Sequence, residues 1–242
     1  MKAMILAAGL GTRLRPLTNN IPKALVPING TPLIEYIIKK LVSFGYDDII
    51  INVHHFANQI ISFLEQKNNF GINITISDET EHLLETGGGL KKASWFFNNS
   101  NPFLVYNVDI ISDIKLDNLL NFHINSDALI TLAVQNRKSN RYFLFDESNI
   151  LCGWKNLETN EIKIIRPVLS KIKPVAFSGI HILNPTVFSY ISHNGCFSLT
   201  NMYLELARFH KIQSFNHDNT NWVDIGKKEC IEEAEKLLAG NF

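Results

Sequence analysis

Met4-Ile5-Leu6-Ala7-Ala8-Gly9-Leu10-Gly11-Thr12-Arg13-Leu14-Arg15-Pro16-Leu17-Thr18 is the stretch that decides how this chain is read. A short apolar run ends directly in glycines, as a buried strand does where it breaks at its C-terminal end. Gly9 and Gly11 can expose backbone N–H groups and let the chain approach an anion closely. Arg13 and Arg15 add fixed positive charge and forked donors suited to phosphate oxygens. Lys23, held between turns in Pro22-Lys23-Ala24-Leu25, can act as a compact cation on a phosphate. An irregular segment of about 20 residues is uncommon in a compact domain unless it is functional. The spacing matches neither the P-loop nor the GxGxxG fingerprint.

Beyond this loop, strands and helices alternate. Leu33, Ile34, Ile37, Ile38, Leu41 and Val42 follow a helical period, with Thr31 as the expected cap, Pro32 in the first turn and Gly45 at the end. Ile49-Ile50-Ile51 reads as a strand buried on both faces. A helix over 57–66, a strand near 72–76, a helix from about Thr86 and a strand over 103–106 come next. A helix over 116–124 and a strand over 128–134 follow. The pattern predicts an α/β fold: a Rossmann-like three-layer sandwich with a mixed, mainly parallel central sheet and right-handed crossovers. Residues 137–176 change to short alternating pieces with turn residues such as Asp146-Glu147-Ser148-Asn149, which predicts an antiparallel hairpin insertion within one domain spanning 1–242. A strand over 177–183, helices near 185–191 and 199–210, a strand near 212–215 and a last helix to about Leu238 complete the expectation.

Composition limits the function. Lys+Arg and Asp+Glu each total 23, so the formal net charge is zero and nothing global attracts nucleic acid or an anionic membrane. Phosphate binding must therefore arise locally. With hydrophobic residues at 45%, there is ample material for a core. Cys152, Cys196 and Cys230 form no CxxC pair, which argues against a zinc site or a disulfide framework and for a reducing, cytoplasmic setting. His54 and His55 are neighbours whose side chains point apart, so one packed and one solvated ring is expected. The run Ala3–Ala8 is shorter than a signal-peptide core, and no stretch approaches the roughly 18–20 apolar residues of a membrane span.

Two aspartates stand out. Phe103-Leu104-Val105-Tyr106-Asn107-Val108-Asp109 is an apolar strand running into a carboxylate, which falls on the same sheet edge as the glycine loop. Asp224 lies in the apolar Trp222-Val223-Asp224-Ile225-Gly226. Mg²⁺ typically takes one or two carboxylates together with phosphate oxygens and water, so a convergent pair would suit it.

Gly-x-Gly-Thr-Arg-Leu-Arg-Pro-Leu-Thr with a following Pro-Lys, directly after an N-terminal strand, resembles the signature of the sugar-phosphate nucleotidylyltransferases. That resemblance implies a nucleoside triphosphate and a sugar 1-phosphate as substrates and Mg²⁺ as cofactor. It implies that Leu6, Ala7, Ala8, Gly9, Gly11, Thr12 and Arg13 cradle the triphosphate, that Lys23 touches the α-phosphate, and that Asp109 and Asp224 hold the metal. Arg13, Lys23, Asp109 and Asp224 form the expected catalytic set. Asn-Val-Asp stands where Gly-Asp is common in the family. Leu84-Glu85-Thr86-Gly87-Gly88-Gly89 stands where the family commonly has Leu-Gly-Thr-Ala-Gly-Ala, so Glu85, Thr86, Gly87 and Gly88 are expected at the base. This form, the short chain and Phe177-Ser178-Gly179-Ile180 resemble the N-acetylmuramic acid 1-phosphate uridylyltransferases, which implies UTP and an amino-sugar phosphate. The family's Glu-Lys-Pro sugar contact has no match at Glu161–Pro167. Asn107, Phe177, Gly179 and Trp222 are expected there instead, because their segments flank the metal site. GTP with a mannose- or heptose-type phosphate is the main rival. A non-catalytic nucleotide-sugar sensor and a glycosyltransferase are the other classes, the latter leaving the Gly-Thr-Arg loop unexplained.

Overall fold

The computed structural model of the chain describes residues 1–98, 101–168 and 171–239. β1 (Lys2–Leu6) is apolar because both its faces are covered: Ala3 and Ile5 join one hydrophobic cluster, Met4 and Leu6 the other. The chain then passes through 3-10 turns at Thr12–Leu14 and Lys23–Leu25 into a small hairpin, β2 (Pro27–Ile28) and β3 (Thr31–Pro32). Asn29 and Gly30 make its turn at φ 46° and 78°, the left-handed pair that Asn-Gly favours in a two-residue loop. This corrects the expected Thr31 cap. Thr31 pairs with Ile28, and α1 (Leu33–Ser43) begins behind Pro32 with no side-chain cap. Gly45 ends that helix region at φ 79°, as its lack of a Cβ permits.

β4 (Asp48–Val53), α2 (Ala57–Gln66), β5 (Asn73–Asp78), α3 (Glu85–Lys92) and β6 (Phe103–Asn107) follow. β5, β4, β1 and β6 pair in that order, all parallel. Their C-terminal ends therefore open on one edge, where open α/β sheets bind ligands. β7 (Ile110–Ser112), α4 (Leu116–Ile124) and β8 (Ile130–Gln135) lead to the antiparallel strands β9 (Arg141–Phe145), β10 (Leu151–Asn156) and β11 (Glu161–Ile164).

β12 (Lys173–Leu183) joins the two parts. Its first residues pair with β9, and its last ones lie between β6 and β8, antiparallel to both. The insertion expected over 137–176 therefore has no boundary at 176, since one continuous strand runs from the hairpins into the main sheet; residues 169 and 170 lie outside the described ones. The segment Pro185–Tyr190 is a 3-10 turn, not an α-helix, with the Asn184 side chain accepting from the Thr186 N–H. α5 (Leu199–Leu206), capped by Ser198, stops before the expected 210. β13 (Ile212–Asn216) runs parallel to β8, β14 (Trp222–Asp224) pairs antiparallel with β7, and α6 (Glu229–Ala239) closes the described chain. Two hydrophobic clusters, one on each face of the sheet, give the three layers.

Candidate active site

The loop leaving β1 lines a cavity of about 790 Å³ at the C-terminal edge, with Leu6 through Leu14 along one wall. Gly11 adopts φ 64°, and a Cβ there would stand 3.1 Å from Thr18 Cγ2 and 3.2 Å from Lys23 Cβ. Only glycine fits that turn. The Thr18 hydroxyl donates to the Gly11 carbonyl at 2.8 Å and closes the loop. At Gly9, by contrast, nothing lies within 4 Å of a Cβ position, so the backbone there is bare toward the cavity.

A buried polar chain anchors this loop. The Ala7 N–H donates to Asn52 Oδ1 (2.7 Å), Asn52 Nδ2 donates to Glu79 Oε1 (2.8 Å), and Glu79 Oε2 accepts from the Leu84 N–H (3.2 Å). Burial pushes the Glu79 carboxyl above its ordinary value, against the pull of these donors. Gly89 on α3 makes the room, since a Cβ there would stand 2.6 Å from Glu79 Oε1. The loop after β1 and the segment entering α3 are thus held to one another. Neither Asn52 nor Glu79 stood out in the sequence, because a lone Asn and Glu at strand ends carry no local signal.

Lys23 is buried at the start of its 3-10 turn, and its ammonium donates to Asp109 Oδ2. Asp109 lies just past β6, where the Val108 N–H donates to the Leu6 carbonyl at 3.1 Å and the Asp109 carbonyl accepts from Ile225 at 2.8 Å. Through that bond and the pairing of Asp224 with Ile110, the tertiary fold brings Asp224 beside Asp109. Burial raises the Asp224 carboxyl, and the charge of Asp109 adds to the rise, while Lys23, Arg13 and Arg137 oppose it. Asp224 Oδ1 is buried with no hydrogen-bond partner. Gly226 gives both neighbours space: a Cβ there would meet Asp224 Oδ1 at 2.9 Å and Arg13 Nη2 at 3.0 Å. Arg13, Lys23, Asp109 and Asp224, expected together, do converge in space. Among the described residues no group of three or more His, Cys, Asp or Glu forms a complete metal cage. Two carboxylates with a free buried oxygen are what a cation also bound by phosphate oxygens requires.

Glu85 and Thr86 line the far wall of the cavity. Glu85 opens α3 at φ 56°, which explains why glycine is common at this place in the resembling family. Gly87 and Gly88 differ from expectation. Their N–H groups donate to the Phe197 carbonyl (2.9 and 3.1 Å), and a Cβ on Gly88 would lie 2.1 Å from the Gly195 carbonyl oxygen. They let α3 pack on residues 195–197 and do not line the cavity.

Of the expected sugar residues, Asn107 lines the cavity, whereas Phe177, Gly179 and Trp222 stand behind it. Gly179, at φ 74°, makes room for Asn107, whose Nδ2 would be 2.9 Å from a Cβ. The Trp222 indole N–H donates to the Ser178 carbonyl at 2.8 Å. Arg137, absent from the expected set, stacks its guanidinium 3.7 Å over the Trp222 ring and donates to the Phe177 carbonyl at 2.7 Å. Phe177 packs against Phe143, His181 and Tyr203, and the Arg137 clamp fixes the Trp222 ring on the strand that carries Asp224. Ser198, Asn201 and Arg141 also line the cavity and were missed. Ser198 alone had a local signal, as a helix cap.

A glycine loop at the end of a parallel strand, with two carboxylates, an arginine and a lysine beside it, offers the donors and charges on which phosphoryl- and nucleotidyl-transfer enzymes rely. Residues 2–240 match the family model described as nucleotidyl transferase, and the chain belongs to that family. It is 30% identical over 98% of its length to N-acetylmuramate alpha-1-phosphate uridylyltransferase of Neisseria meningitidis serogroup B, covering 98% of that protein. It is 32% identical over 94% of its length to mannose-1-phosphate guanyltransferase of Yarrowia lipolytica, of which it spans 61%. In structure it is similar to HddC from Yersinia pseudotuberculosis, solved with GMP-PN, with a TM-score of 0.77 at 22% identity over 98% of this chain and 99% of that one. The two sequence relatives are sugar-1-phosphate nucleotidyltransferases, and the chain is an enzyme of that family.

Proposed function

We propose that this enzyme transfers a uridylyl group from UTP to a sugar 1-phosphate, with N-acetylmuramic acid 1-phosphate as the favoured acceptor, and releases pyrophosphate. The observation that carries the reaction is the meeting of Lys23, Asp109, Asp224 and Arg13 at the mouth of the glycine loop. The end-to-end match to the Neisseria uridylyltransferase, against a partial match to the longer guanyltransferase, supports the substrates. Glu85 and Thr86 on the cavity wall, in the Leu-Glu-Thr-Gly-Gly-Gly form noted in the sequence, support them too. No helix among the described residues is long and apolar enough to cross a membrane.

An oxygen of the sugar phosphate attacks the α-phosphorus in line, the new P–O bond forms, and the electron pair of the broken α–β bridge leaves with pyrophosphate. A phosphate monoester has its second pKa near ~6, so the nucleophile is already dianionic at neutral pH and needs no general base. The backbone amides of Gly9, Gly11 and Thr12 hold the triphosphate, Lys23 is placed for the α-phosphate, and Arg13 for the departing pyrophosphate. Asp109 and Asp224 would hold Mg²⁺, which when bound supplies charge neutralisation between the two polyanions.

Two substitutions test this. Asp109→Ala and Lys23→Ala should each lower pyrophosphate release from UTP and N-acetylmuramic acid 1-phosphate by roughly 100-fold or more. Unchanged release in either variant sinks the assignment. A panel of four nucleoside triphosphates against several sugar 1-phosphates separates the UTP reading from the GTP one.

A further inference from the structure

Three cationic side chains reach the walls of the cavity: Arg13, Lys23 and Arg141. Lys23 is engaged by Asp109, and Arg13 lies against Gly226 beside Asp224. Both sit at the phosphate end. Arg141 has no share in that machinery. It is the first residue of β9, where its backbone pairs with Asn156 and hydrogen-bonds to the Ser139 side chain. Among the described residues, no ion pair or hydrogen bond occupies its guanidinium.

The sheet order decides which substrate it faces. β4 and β5 lie on one side of β1, while β12, with β9 attached, lies beyond β6 on the other, and the segment entering α3 is tied to the end of β5 through Glu79. In-line transfer at the α-phosphorus sets the attacking sugar phosphate opposite the departing pyrophosphate, so the sugar lies away from the glycine loop and Arg13. The end lined by Glu85 repels an anion and can accept the N–H groups of a neutral base. The end lined by Arg141 attracts one. A guanidinium without a partner on the wall of a binding cavity suits a planar carboxylate, which it can grip with two parallel hydrogen bonds.

We propose that Arg141 is a specificity-determining residue that pairs with a carboxylate carried by the sugar itself, so that an acidic hexosamine 1-phosphate is preferred over its neutral counterpart. The proposal deepens the uridylyl-transfer reading above and rests on it. N-acetylmuramic acid and N-acetylglucosamine differ only in the lactyl ether on the ring, whose carboxylate is the group in question. Comparing their 1-phosphates therefore isolates the contact.

The experiment measures kcat and KM with UTP and each of the two sugar 1-phosphates, for the wild type and for Arg141→Ala, Arg141→Lys and Arg141→Glu. Arg141 is exposed, and a thermal melt verifies the fold of each variant. The wild type should prefer the acidic sugar. Arg141→Ala should reduce that preference roughly ten- to a hundredfold, chiefly through KM for the acidic sugar. Arg141→Lys should keep part of it, and Arg141→Glu should lose more than alanine does. An equal loss on both sugars, or an intact preference in Arg141→Ala, overturns the role of Arg141 while leaving the function standing. A wild type that does not turn over the acidic sugar overturns the proposed acceptor itself, whatever the variants do.

Discussion

Asp224 sits where a carboxylate is unfavourable. Its side chain is largely buried, one oxygen has no partner, and Asp109 lies beside it with the same sign of charge. With the carboxyl raised above its ordinary value, the folded protein binds a proton more readily than the unfolded chain does. The charged form therefore costs stability, and the cost appears as pH rises through the raised value. Strain of this kind at a site is retained for function. Asp224→Asn should accordingly raise the melting temperature of the metal-free protein by a few degrees and abolish pyrophosphate release. A lower melting temperature in metal-free buffer shows instead that the carboxylate stabilises the fold. Single residues also explain why part of the site escaped the sequence. Trp222 and Phe177 were read as sugar contacts, yet a lone Arg137 turns both toward structural roles, and nothing at Arg137 announces a partner so far along the chain.

At the level of elements, glycines in two places do different work. In α3, Gly88 faces the backbone carbonyl of Gly195 at a distance no Cβ tolerates, and backbone cannot swing aside. Gly88→Ala should destabilise the protein by about 1–3 kcal/mol through overpacking, measured as a lower urea midpoint. In the loop after β1, Gly9 has open space where a Cβ would go. Gly9→Ala should therefore keep the wild-type urea midpoint and raise KM for UTP. If Gly9→Ala loses stability and Gly88→Ala does not, the two roles have been exchanged. The α/β alternation and the mainly parallel sheet were legible because runs such as Ile49-Ile50-Ile51 are apolar and the helices between strands keep the 3.6 period, whereas the order of β5, β4, β1 and β6 was not. The hairpin of β2 and β3 was not, although Asn29-Gly30 is a strong local turn signal. Thr31-Pro32 before an apolar helix reads equally well as a cap, and only pairing with Pro27 and Ile28 decides.

Across the whole molecule, three neutral histidines are enclosed by the sheet and its helices. Burial lowers His123 and His217 to about 4 and His181 to about 3. The unfolded chain titrates these rings near ~6.5, so it takes up protons that the folded protein refuses. Their stabilising contribution is complete above that pH and is lost as pH falls from there toward 4 and 3. Each ring contributes at most about 1.4 kcal/mol per pH unit within its window. Glu79 and Asp224, whose carboxyls are raised, act in the opposite direction and offset part of the slope. His181 is fully buried between Phe177 and Tyr203 with neither ring nitrogen paired. His181→Leu should therefore flatten the stability slope between pH 6.5 and 4 by about one proton, with little loss at pH 7. Urea midpoints at several pH values measure it, and an unchanged slope removes His181 from the account.

The amino-acid sequence by itself determined the layered α/β class, the break after β1 and the position of Asp109 at the end of β6. These follow from local apolar pattern and from backbone freedom at Gly9 and Gly11, which neighbouring residues specify. Only the tertiary structure decided that Asp224 meets Asp109, that Asn52 and Glu79 tie the two cavity walls together, and that Arg141 reaches the cavity. Each of these depends on strand order and on pairings between distant segments, which no local pattern encodes. The same holds for Gly87 and Gly88, whose amides and missing side chains answer to Phe197 and Gly195 more than a hundred positions away.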